Sequence, residues 1–552
     1  MDRRQFLFGG FLLGTQSAFG HPALRLIEAI VADTTRKAYA DTTSTAVRNY
    51  LNVGILGAPN RYAFDAWLRT NSNDPALVFN SMTGTAFTSS NGVVTGTEYR
   101  TMTYKGLIVP HIFSQSVNIS TGAVPLTSYL DQMLVIRGYG TGVDGHPQNF
   151  NLQQKPLAGK PSISGLAADA STKSFEAVQY PGRASYSSFA SLKNLALNTL
   201  PDPKPVSSLM NGIQSNASVR SLRTAHSEAL DIAKAQLKNS TGTQTAASIA
   251  ARKSMDNAMA LIKKGVGDLD GYWTEAYGRY YAIVHNAMRT TGLPGINDVA
   301  INTASSSNVA FQLMYADANP HFANPAYDGR QLTTQMLVGR LCEGLALAEY
   351  VYSNNLVTSL EIGPDAPSNL LFQSITDSSP KMISAAYDMH FTGSVYSLLL
   401  TTALYRGLMA GLLELRSKLQ AVKSSDGSTV WSNTVVQIMS DFNRSAKGDS
   451  SGADHGYNQM VTSVFSGALN GPEVVGNVTR DAGIGAYPGS QGVGAAISGY
   501  SQVGIPDTKA MASTMSQLLN VGSNPWENLA QPLIQLSGTS LVLPYGRGKV
   551  IG

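Results

Sequence analysis

Three short apolar runs, far apart in the chain, constrain the fold of this sequence most. They lie at 52–57, 133–138 and 434–439. Each run ends in a loop rich in glycine, asparagine or aspartate. Runs of this length are typical of buried strands in sheets that helices cover. Helical spacing of apolar residues occurs elsewhere, at about 218–265, 335–352, 394–422 and 507–519. Strand, loop and helix in alternation predict an α/β fold with a mainly parallel sheet.

The N-terminus predicts an export signal. Arg3 and Arg4 precede an apolar stretch at 8–13, and Ala18-Phe19-Gly20 supplies a small-x-small cleavage site. An arginine pair followed by x-Phe-Leu resembles the twin-arginine signal of bacteria. We therefore expect residues 1–20 to be a signal peptide and the protein to be periplasmic or extracellular. An ordinary amphipathic first helix is the alternative.

The remaining chain is expected to divide into three parts. Residues 21–200 and 331–552 would form the two parts of the α/β core, and residues 201–330, which show no clear strand, a helical insertion. From about 470 the second part is rich in glycine and serine. The apolar stretch at 391–415 contains Arg406 and Glu414, so it is expected to be a buried helix and not a transmembrane segment.

Composition excludes several classes of function. Charged residues make up 14% of the chain, the net charge is +4, and basic runs are absent, so nucleic acid is not an expected partner. The single cysteine, Cys342, excludes an intrachain disulfide and an all-cysteine metal cluster. Its apolar helical surroundings predict a buried thiol. The Walker motif of phosphate-binding loops and the His-Glu-x-x-His motif of metalloproteases are also absent.

Aspartate and histidine lie side by side at three places. These are Asp144-Gly145-His146, Asp388-Met389-His390 and Asp454-His455, all in loop-like stretches. Carboxylates and imidazoles are ligands of Zn²⁺ and similar ions. Asp441 follows the third apolar run, at the carboxyl edge where open α/β sheets bind ligands. We therefore predict a shared divalent metal site, with Zn²⁺ first and Mn²⁺, Mg²⁺ or Ca²⁺ also compatible.

Each of these residues also has a simpler interpretation. An Asp-His pair can be an ordinary solvated loop, and His146 can hydrogen-bond its own glycine-rich loop. Arg444 can bind an anionic ligand through its guanidinium group or pair with Asp449. The residues alone leave these alternatives open.

The segment 434–444, followed by 452–456, resembles the signature of one bacterial family. There a strand ends in Ser-Glu-Phe-Gly-Arg, and Gly-x-Asp-His follows. It is the exported family labelled domain of unknown function 1501, grouped with the alkaline phosphatase/sulfatase superfamily. Weaker similarities occur in the same order at 53–67, 340–344, 387–390 and 470–476.

The resemblance implies a three-layer αβα core of the alkaline phosphatase type, with divalent metals at the carboxyl ends of the strands. The positions that it assigns to the metal are Asp65, Asp388, His390, Asp441, Asp454 and His455. Asp441 stands where the family has glutamate. Arg444 would stabilise charge on the substrate, and His146 is a second candidate for a catalytic role.

Two functions follow from the resemblance. One is an exported metal-dependent hydrolase of a phosphate or sulfate ester, acting on a small anionic ester or a polysaccharide-linked substrate. Asn60 occupies the position where a nucleophilic hydroxyl is expected, so no nucleophile is assigned and a metal-activated water would have to attack. The alternative is an inactive scaffold or binding protein with the same fold.

Overall fold

The computed structural model describes part of the chain. The described residues are 47–55, 85–90, 93–99, 101–173, 175–180, 188–195, 197–199, 271–272, 274–288, 330–333, 339–363, 369–374, 381–384, 394–424, 427–446, 453–456, 460–479, 493–500, 504–537 and 540–551. The predicted signal at 1–20 and most of the predicted insertion at 201–330 lie outside them. The predicted division into parts therefore stays a prediction.

A central sheet of eight strands organises the described residues. Its strands are β1 (Asn49–Ile55), β2 (Met133–Tyr139), β3 (Phe175–Tyr180), β4 (Asn198–Thr199), β5 (Val357–Ile362), β6 (Thr434–Ser440), β7 (Met460–Ser466) and β8 (Glu473–Val475). Their order is β4-β3-β5-β1-β6-β7-β2-β8. All neighbours are parallel except β7, which runs antiparallel to β6 and β2. The predicted α/β class with a mainly parallel sheet is confirmed.

Two of the three apolar runs form strands at the centre of this sheet, and the third forms β2, next to the edge strand β8. β1 and β6 are neighbours, with Val53 opposite Ile438, and every residue of β1, β2 and β6 is buried. Strands that do not alternate between apolar and polar residues are buried on both faces of the sheet, so other elements must pack against each face. Helices provide it, because Ile362 of β5 packs against Gly344 while the adjacent Glu361 bonds to Ser164. Successive residues of a strand point to opposite faces.

The described helices are α1 (Thr127–Leu130), α2 (His146–Gln154), α3 (Ile163–Asp169), α4 (274–288), α5 (Gly339–Ser353), α6 (Ser394–Ala421) and α7 (Thr508–Leu519). The helices predicted at 335–352, 394–422 and 507–519 are confirmed as α5, α6 and α7. Cys342 of α5 is buried as predicted, and burial raises the pKa of its thiol. Among the described helices none is long and apolar enough to cross a membrane.

Short strands surround the sheet as hairpins and small ribbons. They are Thr85–Ser90, Val93–Tyr99, Thr101–Tyr104, Leu107–Pro110, Ser116–Ile119, Gly122–Pro125, Arg330–Thr333, Asn369–Ser374, Lys381–Ser384, Asn443–Ala446, Ala453–Gly456, Asn477–Thr479, Val493–Ala495, Gln535–Ser537, Ser540–Val542 and Val550–Ile551. One of these ribbons, Asn443–Ala446 paired with Ala453–Gly456, follows β6 directly at the carboxyl edge of the sheet. We call it the site hairpin.

Candidate functional site

His146 and Asp441 meet at the carboxyl edge of the sheet. β6 ends at Ser440, Asp441 follows it, and α2 begins at His146. Nδ1 of His146 lies 2.6 Å from Oδ2 of Asp441. Asp441 is 1% exposed, and its Oδ1 accepts a hydrogen bond of 3.0 Å from the Ser440 hydroxyl. His146 therefore bonds a buried carboxylate on another segment, a partner that the simpler interpretation of this residue did not include.

His455 of the site hairpin pairs with Asp144 in the same way. Its Nδ1 lies 2.5 Å from Oδ1 of Asp144, which is 61% exposed. Asp144 is close to His146 in the sequence, but in the structure Asp144 bonds His455, and His146 bonds Asp441. Each aspartate thus binds a histidine from a different part of the chain.

The two imidazoles face one another through their second nitrogens. Nε2 of His146 lies 3.1 Å from Nε2 of His455, and the rings are perpendicular at 88°. A carboxylate only accepts hydrogen bonds, so each Nδ1 carries the proton and a neutral ring then presents a lone pair at Nε2. Two such lone pairs repel at this distance unless a proton or a metal ion lies between them. Two nitrogens bound to one Zn²⁺ at ~2.0–2.1 Å are about 3.3 Å apart in tetrahedral geometry.

Phe442 holds both rings in place. It is fully buried and stacks on His455, with ring centroids 3.9 Å apart and planes at 11°. Its ring also meets His146 edge-on, at 4.8 Å and 78°. No pattern in the sequence singles out this residue. Its only signal was its position directly after Asp441.

Helix α2 is fixed to the sheet close to this site. Gln153 donates from Nε2 to the carbonyl of Ser440, at 2.5 Å, and accepts from the Tyr139 hydroxyl at 2.9 Å. Phe150 packs over Gly54 of β1, where an added Cβ would come within 2.5 Å of its ring. The second half of α2 is therefore held against the ends of β1 and β6, and this places His146, the first residue of the helix, beside Asp441.

The other predicted site residues are only partly described. Asp65, Asp388 and His390 lie outside the described residues. Asp454 and Arg444 belong to the site hairpin, in which Arg444 lies opposite His455 and Asp454 opposite Ser445. The predicted loop at Asp454-His455 is therefore a strand, because this segment pairs in register with the residues that follow β6.

The described part of the chain contains no group of three or more histidine, cysteine, aspartate or glutamate side chains arranged to hold one metal ion. It does contain the pair of facing imidazoles with their two carboxylates. The four side chains form a continuous chain, Asp441–His146–His455–Asp144. Such a chain can share a proton, or it can supply two oriented nitrogen ligands.

The comparisons with known proteins add no relative. No protein-family model matches this chain, and neither a curated protein nor a solved structure matches it.

Proposed function

We propose that this protein is an exported metal-dependent hydrolase of phosphate or sulfate esters, and that His146 and His455 bind its metal ion. The observation that carries the proposal is the pair of Nε2 atoms 3.1 Å apart, each on a ring whose Nδ1 is bonded to an aspartate. The proposal includes the finer features of the family resemblance, namely an alkaline phosphatase-like core and export by a twin-arginine signal.

The donor set fits Zn²⁺ better than a purely oxygen-binding ion. Imidazole nitrogen suits zinc, whereas Mg²⁺ and Ca²⁺ prefer oxygen ligands. A histidine that binds a metal usually donates its other N–H to a carboxylate or carbonyl, which fixes the tautomer and the direction of the ring. Asp441 and Asp144 occupy these positions. We therefore assign Asp441 an orienting role, in place of the direct ligand role that the sequence predicted for it.

The remaining ligands are assigned from the resemblance. A catalytic zinc ion takes three protein ligands and leaves a position open. Asp388, His390, Asp454 and Asp65 are the candidates for the third ligand, and a second ion would use those that are left.

The chemistry of the site follows from its exposure and charge. His146 is 25% and His455 17% exposed, so an ester can reach the pair from solvent. An ion held by the two imidazoles would polarise the ester and activate a water molecule for attack. We assign Arg444, which lies opposite His455 in the site hairpin, to the charged oxygens of the ester, since guanidinium groups bind phosphate and sulfate bidentately.

Metal analysis of the purified protein tests the proposal. We expect the wild type to retain zinc, and His146→Ala and His455→Ala each to lose most of it. His111→Ala is the matched control, because this half-buried histidine belongs to another segment, where its Nδ1 lies 3.3 Å from the Ser114 hydroxyl. A wild type that binds no metal when zinc is supplied would overturn the proposal. A proton shared between the two Nε2 atoms would then explain the contact of the imidazoles.

Activity is measured on the same samples with aryl phosphate and aryl sulfate esters. We expect hydrolysis that falls in parallel with metal content in the two variants and returns partly with excess Zn²⁺. A protein that holds the metal through both histidines but hydrolyses neither ester would be a binding protein or scaffold, and the hydrolase assignment would then be wrong.

A further inference from the structure

A cleft lies at the amino ends of the strands, on the side of the sheet away from the candidate site. It has a volume of about 460 Å³, and the residues that line it include Lys105, Asp131, Gln132, Arg416, Gln420 and Asn470. Asp131 and Gln132 directly precede β2, whereas His146 lies beyond the other end of this strand. At ~3.3 Å per residue the seven residues of β2 separate the two places by about 20 Å. The cleft is therefore distinct from the histidine pair.

The charges that line the cleft are unbalanced. Lys105 pairs with Asp131 at 2.7 Å, and the Tyr104 hydroxyl donates to the same carboxylate oxygen at 2.6 Å. Arg416 makes no ion pair within 4.0 Å with a described carboxylate. Lys105 and Arg416 are both cationic and Asp131 is the anion between them, so the lining of the cleft has a net positive charge.

The guanidinium group of Arg416 is only partly satisfied by the protein. Its Nη1 donates to the carbonyl of Ser128 at 2.7 Å, and its Nη2 lies 3.4 Å from the hydroxyl of the same residue. Its Nε is buried without a hydrogen-bond partner. Burial lowers the pKa of Arg416, and nearby Asp131 opposes this effect. A cation that is held by neutral acceptors in a cleft is a binding element for an anion.

The other residues of the cleft indicate what that anion carries. Gln132, Gln420 and Asn470 present amide groups, which both donate and accept hydrogen bonds and therefore suit hydroxyl groups. Small-molecule sites enclose roughly 300–1,000 Å³, so this cleft has room for one or two sugar rings. We propose that the cleft binds a small organic anion rich in hydroxyl groups, of the sugar-acid class, with Arg416 as the partner of its carboxylate.

Calorimetric titration of the full chain with glucuronate, glucose and inorganic sulfate tests this proposal. We expect glucuronate to bind at least about tenfold more tightly than glucose, a difference of about 1.4 kcal/mol. Sulfate should bind more weakly than glucuronate, because it lacks the hydroxyl groups. Equal binding of glucose, stronger binding of sulfate, or no binding of glucuronate would overturn the proposal.

Three variants locate the binding. Arg416→Gln should weaken glucuronate binding by about tenfold or more. Gln420→Glu, at an exposed position, should do the same by adding a negative charge, and it keeps the test decisive if the arginine variant does not fold. Arg547→Gln is the control, because this arginine is paired with Glu473 outside the cleft. Unchanged binding in the first two variants, or an equal loss in the control, would contradict the assignment.

Two further measurements separate this site from the histidine pair. His455→Ala should bind glucuronate as the wild type does, and a loss there would move the anion to the proposed metal site. Trp431 donates its indole N–H to Gln132 at 2.9 Å, so its fluorescence should change when the cleft is occupied. Trp431→Phe should abolish this signal while binding is retained, and a signal that survives the substitution would place the anion elsewhere.

Discussion

Among single residues, Phe442 has the clearest part in the geometry of the candidate site. Its ring stacks on His455 and meets His146 edge-on. Phe442→Leu keeps an apolar side chain of similar size but removes both ring contacts. We expect a loss of about 1–2 kcal/mol in the free energy of unfolding and a zinc affinity at least about tenfold lower. Urea unfolding and competition with a zinc chelator measure the two effects.

Phe113→Leu is the control for this prediction. Phe113 is equally buried and meets Tyr405 edge-on, away from the two histidines. It should lose similar stability without any change in zinc affinity. If both variants bind zinc as the wild type does, Phe442 has only a packing role.

The sequence predicted three residues that the structure brings together, His146, Asp441 and His455. It missed the pairing of Asp144 with His455, because that hydrogen bond joins residues 311 positions apart. Side-chain periodicity within one strand or helix carries no information about such contacts. Phe442 was missed for a related reason, since one aromatic residue in a loop has no pattern of its own.

Among the elements, strands were predicted where apolar residues predominate and missed where polar residues interrupt the apolar run. β5 and β7 contain serine, threonine or glutamate, which conceal their burial in the sequence. The polar groups bond within the protein: Thr462 donates to the carbonyl of Ile438 at 2.8 Å, and Ser466 to that of Thr434 at 2.7 Å. A buried polar side chain is tolerated when it is hydrogen-bonded in this way.

A row of buried polar side chains crosses the sheet, and Glu361 is its acidic member. Gln179, Glu361, Asn52 and Gln437 occupy neighbouring register positions on β3, β5, β1 and β6. Gln179 donates to Oε2 of Glu361 at 3.2 Å, whereas Oε1 of Glu361 and Oδ1 of Asn52 are buried without a partner. A proton on Glu361 supplies the donor that this row lacks.

We predict that Glu361 makes the stability of the protein fall as pH rises. Burial raises the pKa of this carboxyl above its ordinary value of 4.5, so the folded state binds a proton that the unfolded state releases. The stabilising contribution is complete below pH 4.5 and is lost as pH rises through the raised pKa. Glu361→Gln mimics the protonated form and should remove this part of the pH dependence. Urea unfolding between pH 4.5 and 8.5 measures it, and parallel curves for both proteins would contradict the prediction.

Helix α4 is joined to α5 and α6 by one arginine. Arg279 contacts both oxygens of Glu349, at 2.5 and 2.7 Å, and lies 2.9 Å from Glu414. Both carboxylates are buried. Arg279→Met leaves Glu349 without this cation and Glu414 with only Lys418, at 3.5 Å, and should lower the free energy of unfolding by about 3–5 kcal/mol. Adding Glu349→Gln and Glu414→Gln should restore part of the loss.

Arg547→Met is the control for this prediction, because its ion pair with Glu473 lies at the surface. We expect it to cost about 1 kcal/mol or less. Equal losses for the two arginine variants would show that burial of the carboxylates is not the cause.

For the whole molecule, the sequence predicted the class of fold but not the order of its strands. Strand order depends on which distant segments pair, and the placement of β1 between β5 and β6 is a contact between segments hundreds of residues apart. The reversed direction of β7 also had no sequence signal. Local patterns predicted β1, β2 and β6, and long-range packing determined their arrangement.

Export of the whole protein is expected to depend on the arginine pair near the N-terminus. Arg3→Lys combined with Arg4→Lys should leave the precursor in the cytoplasm, because the twin-arginine signal requires the pair. Fractionation and immunoblotting of cells that express both forms measure the effect. An equal amount of processed protein outside the cytoplasm in both would show that export does not use this route.

The chain of four side chains at the candidate site also limits when the site can exist during synthesis. His146 meets Asp441 across 295 residues and His455 across 309. Closing a loop of this length costs about 5 kcal/mol in chain entropy, which the pairing of β1 with β5 and β6 must offset first. A nascent chain that has emerged only to residue 440 contains one imidazole of the pair and neither Asp441 nor His455. A metal ion could therefore bind only after residues 441–455 have been synthesised and the centre of the sheet has formed.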